Sequence, residues 1–420
     1  MSRLRYALAM HETIFDCLVL GAGASGLMAA ACAGARGRRV LVLDSAARAG
    51  QKLRLSGGGK ANFTNLDMGP EYFVGGNVDF CRSALERFTP HDILAMVRNA
   101  GIVVEEREQR QLFCRDAAGQ ILTMLVRKCL KHGCCFEFGK RAVSAWSESC
   151  GQKQVFAVQS DAGLYRAFSL LVATGGPAWP QIGASAIGLE LARSFGHKCI
   201  PFEPALAAFA MPENWEFSTL AGLSLPVTIA LEAADGKKSG RPPAYERFAK
   251  GLAAEKLPLL FTRKGISGPA ALQASLYWHE NMALLVDFLP HVSTDELAGT
   301  SGALLVKNLV RRHMPDRLAR LLVPPSLAEK KFAQTSRGER DLLHQALHSR
   351  RFVPDGTDDF SRAEVARGGV DTRELSSKSF ESKLVPGLYF CGEVLDITGR
   401  LGGYNLHWAF ASGHAAGLFM

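Results

Sequence analysis

Gly21-Ala-Gly23-Ala-Ser-Gly26 is the first set of residues whose types and spacing could do chemistry. It follows the apolar run Phe15–Leu20 directly and opens an alanine-rich stretch, Leu27–Ala35. A second apolar run from Arg39 ends on Asp44 about twenty residues later. Strand, glycines, helix, strand and acid in this order make the dinucleotide fingerprint. Gly21 would allow the tight turn, Gly23 the approach of a pyrophosphate, and Gly26 the packing of helix on strand. The N–H groups of the helix start, at Ala24 and Ser25, would face the phosphates. Asp44, with Ser45 beside it, would accept hydrogen bonds from ribose hydroxyls.

Further along, Ser56-Gly57-Gly58-Gly59-Lys60-Ala61-Asn62 reads as a loop pressed against a ligand, with Lys52 just before it. Leu170–Gly176 is another buried strand, ending in Thr174-Gly175-Gly176. Gly387–Glu393 is a third, ending in Gly392-Glu393 with Asp396 three residues on. Gly402-Gly403-Tyr404-Asn405 opens a last helix, whose first N–H groups could lie against a ring edge. Tyr404, His407 and Arg400, with Trp179, are the candidate proton donors near that edge. Each also has an ordinary structural reading: packing for Tyr404 and Trp179, pairing with an acid for Arg400, and the outer face of the helix for His407. The 11 histidines are dispersed, so no metal site is expected, and no G-x-S-x-G elbow follows a strand.

These segments together resemble the BaiN/YhiN family of bacterial NAD(P)/FAD-dependent oxidoreductases, also known as the aminoacetone oxidase family. The likeness rests on Ser56–Asn62, Ala173–Gly176, Leu260–Pro269 and the long block Glu381–Glu393 continuing through Gly399–Leu406, and it runs from about Phe15 to the C-terminus. It implies FAD as cofactor, with NAD(P)H as a transient electron donor. Lys52, Ser56, Gly57, Gly58, Lys60 and Asn62 would then touch phosphate, ribityl chain or ring. Thr174, Gly175, Gly392, Glu393 and Asp396 would line the ribityl side, and Gly402, Gly403, Tyr404 and Asn405 the ring. Two departures stand out: Ala61 occupies a position where the family often has cysteine, and Gly183–Gly188 replaces its usual glycine- and aspartate-bearing turn.

The elements that must position these residues follow from the apolar pattern. Strand–helix alternation covers residues 14–200, including a helix over Ile121–Lys131 and antiparallel-looking strands over Phe136–Ala157. Strand and turn character prevails in 201–300, with a hairpin loop at Gly236–Pro243. Helical spacing marks Leu304–Val323 and Arg340–Leu347 within 301–351, and the resemblance implies that 352–420 returns to complete the first part. The resemblance implies how these parts combine: an α/β fold, a Rossmann-like FAD-binding domain, split in sequence, with an inserted β-barrel-like and small helical region.

Composition narrows the class. At 420 residues, 47% hydrophobic and 21% charged, the chain has enough apolar material for large cores. Ten scattered cysteines without a CxxC pair exclude a disulfide framework and a disulfide reductase. The uncharged stretch Cys17–Ala35 is broken by four glycines, which favours a turn over a membrane helix, and the start lacks the features of a secretory signal. A cytoplasmic location is expected. The net charge of +9 is uneven: residues 301–351 hold eleven Lys/Arg against four acids, either a solvated helical face or a footprint for a polyanion.

The resemblance therefore implies a reductase of a C=C bond conjugated to a carbonyl, driven by NAD(P)H. The substrate is a small unsaturated carbonyl compound or, alternatively, uridine in ribosomal RNA. A non-catalytic RNA-binding protein with structural FAD and an amine oxidase are the other readings. Oligomeric state is not legible.

Overall fold

The computed structural model describes residues 13–151, 153–233, 255–293, 296–297 and 303–420; the loop expected over Gly236–Pro243 lies outside them. Two compact units result, the described part of Met1–Pro204 with Phe360–Met420, and Ala205–Asp359.

The first unit starts with β1 (Ile14–Leu20), α1 (Ala24–Ala35) and β2 (Val40–Asp44), then the short α2 (Gln51–Leu55), β3 (Asn62–Asn65) and β4 (Gln111–Cys114). α3 (Gly119–Lys131), β5 (Cys135–Phe138), β6 (Ala142–Cys150), β7 (Lys153–Ser160) and β8 (Gly163–Val172) follow. Apolar on both faces, β1, β2 and the end of β8 form the buried centre of a sheet ordered β5–β2–β1–β8–β7–β6. β1 runs parallel to β2 and to β8, with Leu20 opposite Leu43 and Val172. The segment around Phe136 was expected to be antiparallel; instead β5 pairs parallel with β2, Asp44 opposite Phe138. The crossover helix α3 explains this, since a helix between neighbouring strands returns the chain in the same direction. Only β6 and β7 form the antiparallel hairpin, and β7 continues it onto β8.

The second unit contains β9 (Phe209–Ala210), β10 (Ser224–Ala233), β11 (Leu257–Phe261), β12 (Gly265–Ser267), β13 (Met282–Asp287), α4 (Arg337–His348), β14 (Arg350–Phe352) and β15 (Gly356–Thr357). Its strands make one sheet ordered β14–β13–β10–β11–β12–β9–β15, over an aromatic core of Trp215, Phe217, Phe261, Phe288 and Phe352. The helical stretch expected over Leu304–Val323 is two short helices, Val306–Val310 and Asp316–Leu322. Pro315 separates them, because it has no N–H to continue the first ladder. Of the expected regions 201–300 and 301–351, residues 205–351 belong to this unit, together with 352–359, so that the chain's return starts at Phe360.

The chain returns to the first unit with β16 (Leu388–Phe390), parallel to β8 with Phe390 opposite Val172, and α5 (Tyr404–Gly417). α1 is apolar on nearly all sides because it lies between the sheet, α3 and α5. α5 comes close enough that a Cβ on Gly413 would sit 2.3 Å from the Ser25 carbonyl oxygen, and one on Gly417 2.5 Å from that of Ala29. This glycine pair, four residues apart on one face of α5, sets the spacing of the two helices. No helix among the described residues is long and apolar enough to cross a membrane.

Candidate cofactor-binding and active site

Four parallel strands end side by side, and each hands its carboxyl end to one of the motifs. β1 leads into Gly21–Gly26, β2 ends on Asp44, β8 leads into Thr174-Gly175-Gly176, and β16 into Gly392-Glu393. Ligands of open α/β sheets bind at this edge.

The glycines of the first turn act differently. At Gly21, φ is +107° and a Cβ would fall 2.4 Å from the Ala173 carbonyl oxygen; at Gly26 it would fall 1.9 Å from that of Gly21. Both are required by backbone crossing backbone. A Cβ on Gly23 would meet nothing within 4 Å, so open space adjoins this position at the uncapped start of α1, where no acid stands in the first turn. Gly58 and Gly59, at φ +64° and +84°, likewise face open space. Bare backbone, exposed helix N–H groups and room beside them suit a pyrophosphate. The residues present therefore fit a dinucleotide such as FAD.

Asp44 is mostly buried; its Oδ2 accepts the Ala22 N–H at 2.6 Å and its Oδ1 the Ala46 N–H at 2.8 Å. Burial pushes its pKa above the usual carboxylate range, against the pull of those two N–H groups. It thus braces the glycine turn from beneath. Ser45 beside it is exposed, 3.7 Å from where a Gly183 Cβ would lie. Ser25 is buried, its hydroxyl against Gly392, where a Cβ would lie 2.5 Å away. The Thr174 Oγ1 is buried beside Gly188 and has no hydrogen-bond partner among the described residues.

Lys52 and Glu393, expected to face the cofactor separately, are paired. Lys52 Nζ lies 2.9 and 2.8 Å from the two carboxylate oxygens, and Glu393 Oε1 also accepts the Ala366 N–H at 2.9 Å. The pair fastens α2 to the end of β16, next to Gly175 and Gly176. Ser56 donates to the Leu53 carbonyl at 2.7 Å, closing α2 ahead of the triple glycine. Lys60 follows that loop, and its carbonyl accepts the Cys114 N–H at 2.9 Å. Ala61, with φ +47°, is fully buried. Asp396 is buried, accepts the Gly76 N–H at 2.7 Å, and has its pKa raised by burial.

The ring-side loop is held by amides. Asn405 accepts the Gly399 N–H at 2.7 Å and donates to the Gly399 carbonyl at 2.7 Å, folding 399–405 into a closed turn. Asn62 pairs with Gln111 at 2.6 Å beside Gly403. Asn65 donates to the carbonyls of Gln109 and Gly402 at 3.0 and 3.1 Å. Gly403 needs its φ of +95°, since a Cβ would meet the Thr64 carbonyl oxygen at 2.6 Å.

Of the proton-donor candidates, Tyr404 and Arg400 come together and His407 and Trp179 do not join them. The ring of Tyr404 stacks on Tyr72 at 4.7 Å, and the Arg400 guanidinium lies 5.9 Å from the Tyr72 ring. Tyr72 donates to Asp67 Oδ2 at 2.5 Å; burial first, then Asp67, pushes its pKa up to about 12. Tyr72 and Asn65 are the site residues that sequence reasoning passed over. Asn65 stands three residues past the glycine-loop motif, whereas nothing in the spacing around Tyr72 signals it. His407 is 0% exposed and bonded at both nitrogens, Nδ1 to Thr64 Oγ1 at 2.8 Å and Nε2 to the Phe88 carbonyl at 3.0 Å. Because a carbonyl only accepts, Nε2 carries the proton and Thr64 donates to Nδ1. Burial lowers its pKa to about 4. This is the geometry of a neutral cross-link, and the expectation of His407 as a proton donor has no open space to act on. Trp179 holds φ +71° and donates its N–H to the Phe360 carbonyl at 2.8 Å, fixing the turn after β8. No cluster of His, Cys, Asp or Glu among the described residues could hold a metal.

Six of the eleven cations of the basic segment are paired with acids. Lys307 pairs with Glu329, Arg311 and Arg320 with Asp316, Lys330 with Glu339, Arg350 with Glu216 and Arg351 with Glu232.

Comparison with known proteins agrees with this arrangement. The model of the HI0933-like protein Rossmann domain matches residues 15–419. A ribosomal RNA dihydrouridine synthase of Escherichia coli (strain K12) is 37% identical over 408 residues, 96% of each chain. The protein of that name from Haemophilus influenzae is also 37% identical, over 96% of this chain and 97% of its own. A 3-dehydro-bile acid delta(4,6)-reductase of Clostridium scindens is 28% identical, over 95% and 97%. The open conformation of a flavocytochrome c3 fumarate reductase aligns with a TM-score of 0.47 at 15% identity, covering 99% of this chain and 79% of that one, too loosely to carry an argument. With the family model spanning almost the whole chain and end-to-end relatives above a third identical, the protein belongs to the HI0933-like Rossmann family and is an FAD-dependent oxidoreductase.

Proposed function

We propose that this protein reduces the C5–C6 double bond of uridine in ribosomal RNA, with NAD(P)H as the source of electrons. The observation that carries this reading is the 37% identity, along the full length, to two proteins named for that reaction. The site geometry supports it. Gly21–Gly26 and Asp44 would hold the adenylate and pyrophosphate end of FAD, and the loops at 56–62 and 399–405 the ring end. When bound, the flavin supplies hydride transfer to a double bond conjugated to a carbonyl. The chain's own residues must then orient the pyrimidine and deliver a proton to the carbon next to the carbonyl.

Tyr404 is our proposed donor, through its hydroxyl. Its ring is held by the Tyr72 stack, and Tyr72 itself stays protonated because Asp67 and burial raise its pKa. Arg400, on the same turn, would orient the carbonyl oxygen. A base inside an RNA helix cannot reach such a site, so the uridine must be unpaired or turned out of its stack. The identity to a bile acid reductase supports a second reading, reduction of a small enone at the same edge.

The test is anaerobic reduction of the yellow protein by NADPH or NADH, followed at the flavin band, then addition of acceptor. Recovery with unmodified ribosomal RNA, with dihydrouridine appearing in the RNA, is expected; recovery only with a steroid enone would transfer the assignment to the second reading. Failure of both nucleotides to bleach the flavin would overturn the NAD(P)H assignment. Tyr404→Phe is expected to slow reoxidation by RNA at least tenfold while leaving bleaching by NAD(P)H intact.

A further inference from the structure

A cavity of about 320 Å³ opens at the carboxyl ends of β2 and β5, on the side covered by α3. Its floor is apolar, formed by Leu122, Val126 and Phe138, and its rim carries Arg48, Arg54 and Arg127. No carboxylate lines it, and none of the three arginines makes an ion pair among the described residues. That contrasts with the second unit, where six of the eleven basic residues of 301–351 are paired with acids. Lys131 lies one turn beyond Arg127 on α3, so positive charge continues away from the cavity.

The cavity is separate from the glycine turn. The loop 47–50 stands between them: the Gly50 N–H donates to the Ala22 carbonyl at 2.9 Å, while on its other side a Gly50 Cβ would meet Leu122 at 2.4 Å. Three exposed guanidiniums grouped around an apolar cleft that no carboxylate lines give it a positive potential that draws anions. Guanidinium forks match phosphate oxygens, and an apolar floor with one aromatic ring suits the face of a base.

We infer that this cavity holds one nucleotide of the RNA strand, its phosphate on Arg54 and Arg127 with Arg48 at the rim, and its base against Phe138, Leu122 and Val126. The inference rests on the RNA reading above and moves the RNA footprint from the basic helical segment to the flavin-binding unit. Shared through the wall at 47–50, the anchor would hold a strand next to the edge where the flavin binds.

The experiment measures binding of an unmodified ribosomal RNA transcript to the full-length, flavin-loaded protein across a range of salt. Arg54→Ala/Arg127→Ala is expected to weaken binding at least tenfold. It should also lower the slope of log K against log salt by about 0.7, one phosphate contact's worth on a single strand. Thr123→Trp, which fills the cavity and keeps the charges, should weaken binding as well, without changing flavin content. Lys331→Ala/Arg337→Ala, in the second unit, should leave affinity within twofold. If the arginine and tryptophan variants bind RNA like the wild type, or if the Lys331/Arg337 variant carries the loss, the cavity assignment is overturned. Slower NADPH bleaching in the arginine variant with RNA affinity unchanged would also overturn it, giving the cavity to the nicotinamide nucleotide. A wild-type protein that binds no RNA would instead remove the RNA reading itself.

Discussion

Replacing His407 with glutamine should remove a specific share of this protein's acid sensitivity. The ring is fully buried, donates from Nε2 to the Phe88 carbonyl and accepts from Thr64 at Nδ1, and its pKa is lowered to about 4 by burial. In the unfolded chain it returns to about 6.5. A depressed histidine pKa means that the unfolded state takes up the proton first, so stability falls as pH drops from about 6.5 towards 4. At about 1.4 kcal/mol per pH unit, the loss attributable to this group between pH 7.5 and 5.0 is about 2 kcal/mol. Glutamine can offer an N–H to Phe88 and an oxygen to Thr64 but does not titrate. His407→Gln should therefore cost about 1–2 kcal/mol at pH 7.5 through imperfect geometry, while losing about 2 kcal/mol less than the wild type on going to pH 5.0. His197 and His414 also have burial-lowered pKa values, but they are common to both proteins and cancel in the difference. Urea unfolding at the two pH values measures it. Equal losses in wild type and variant, or a His407 ring that titrates near 6.5 by NMR, would refute the reasoning.

Other outcomes follow from the same geometry. Gly23→Ala should keep stability within about 1 kcal/mol yet lower flavin occupancy after purification, because its Cβ meets no protein atom. Gly26→Ala, whose Cβ would land 1.9 Å from a carbonyl oxygen, should destabilise by about 3 kcal/mol or more before any ligand is considered. Gly413→Val should force α1 and α5 apart and lower the melting temperature by several degrees, read by calorimetry. For the half-buried Lys52–Glu393 pair, a double-mutant cycle with Lys52→Met and Glu393→Gln should give a coupling of about 1–2 kcal/mol. A coupling near zero would show that the pair does not fasten α2 to β16.

Much of the cofactor edge was legible from local pattern. Phe15–Leu20, the glycines and Asp44 lie within thirty residues, and strand, turn and helix in that order leave a chain few ways to fold. The triple-glycine loop and Gly402-Gly403 announced themselves because left-handed backbone at close quarters admits little but glycine. The direction of β5 was misread because strand composition does not encode a partner's direction, which the preceding crossover helix α3 sets. The sites of Lys52 and Glu393 were found, but their pairing was not. They stand 341 residues apart, and only the parallel placing of β16 beside β8 brings them within 2.9 Å.

The division has a physical basis. Backbone conformation, apolar periodicity and the glycine turns are short-range properties, carried by neighbouring residues and readable in order along the chain. Whether a polar side chain faces a ligand, a partner or the core depends on what the tertiary packing sets beside it. His407 and Tyr404 are three residues apart on one helix; packing buried the first between Thr64 and Phe88 and laid the second on Tyr72. The same holds for charge: six of the eleven lysines and arginines in the densest run are paired with acids, whereas Arg48, Arg54 and Arg127, unremarkable in sequence, meet around one cavity with no ion pair among the described residues.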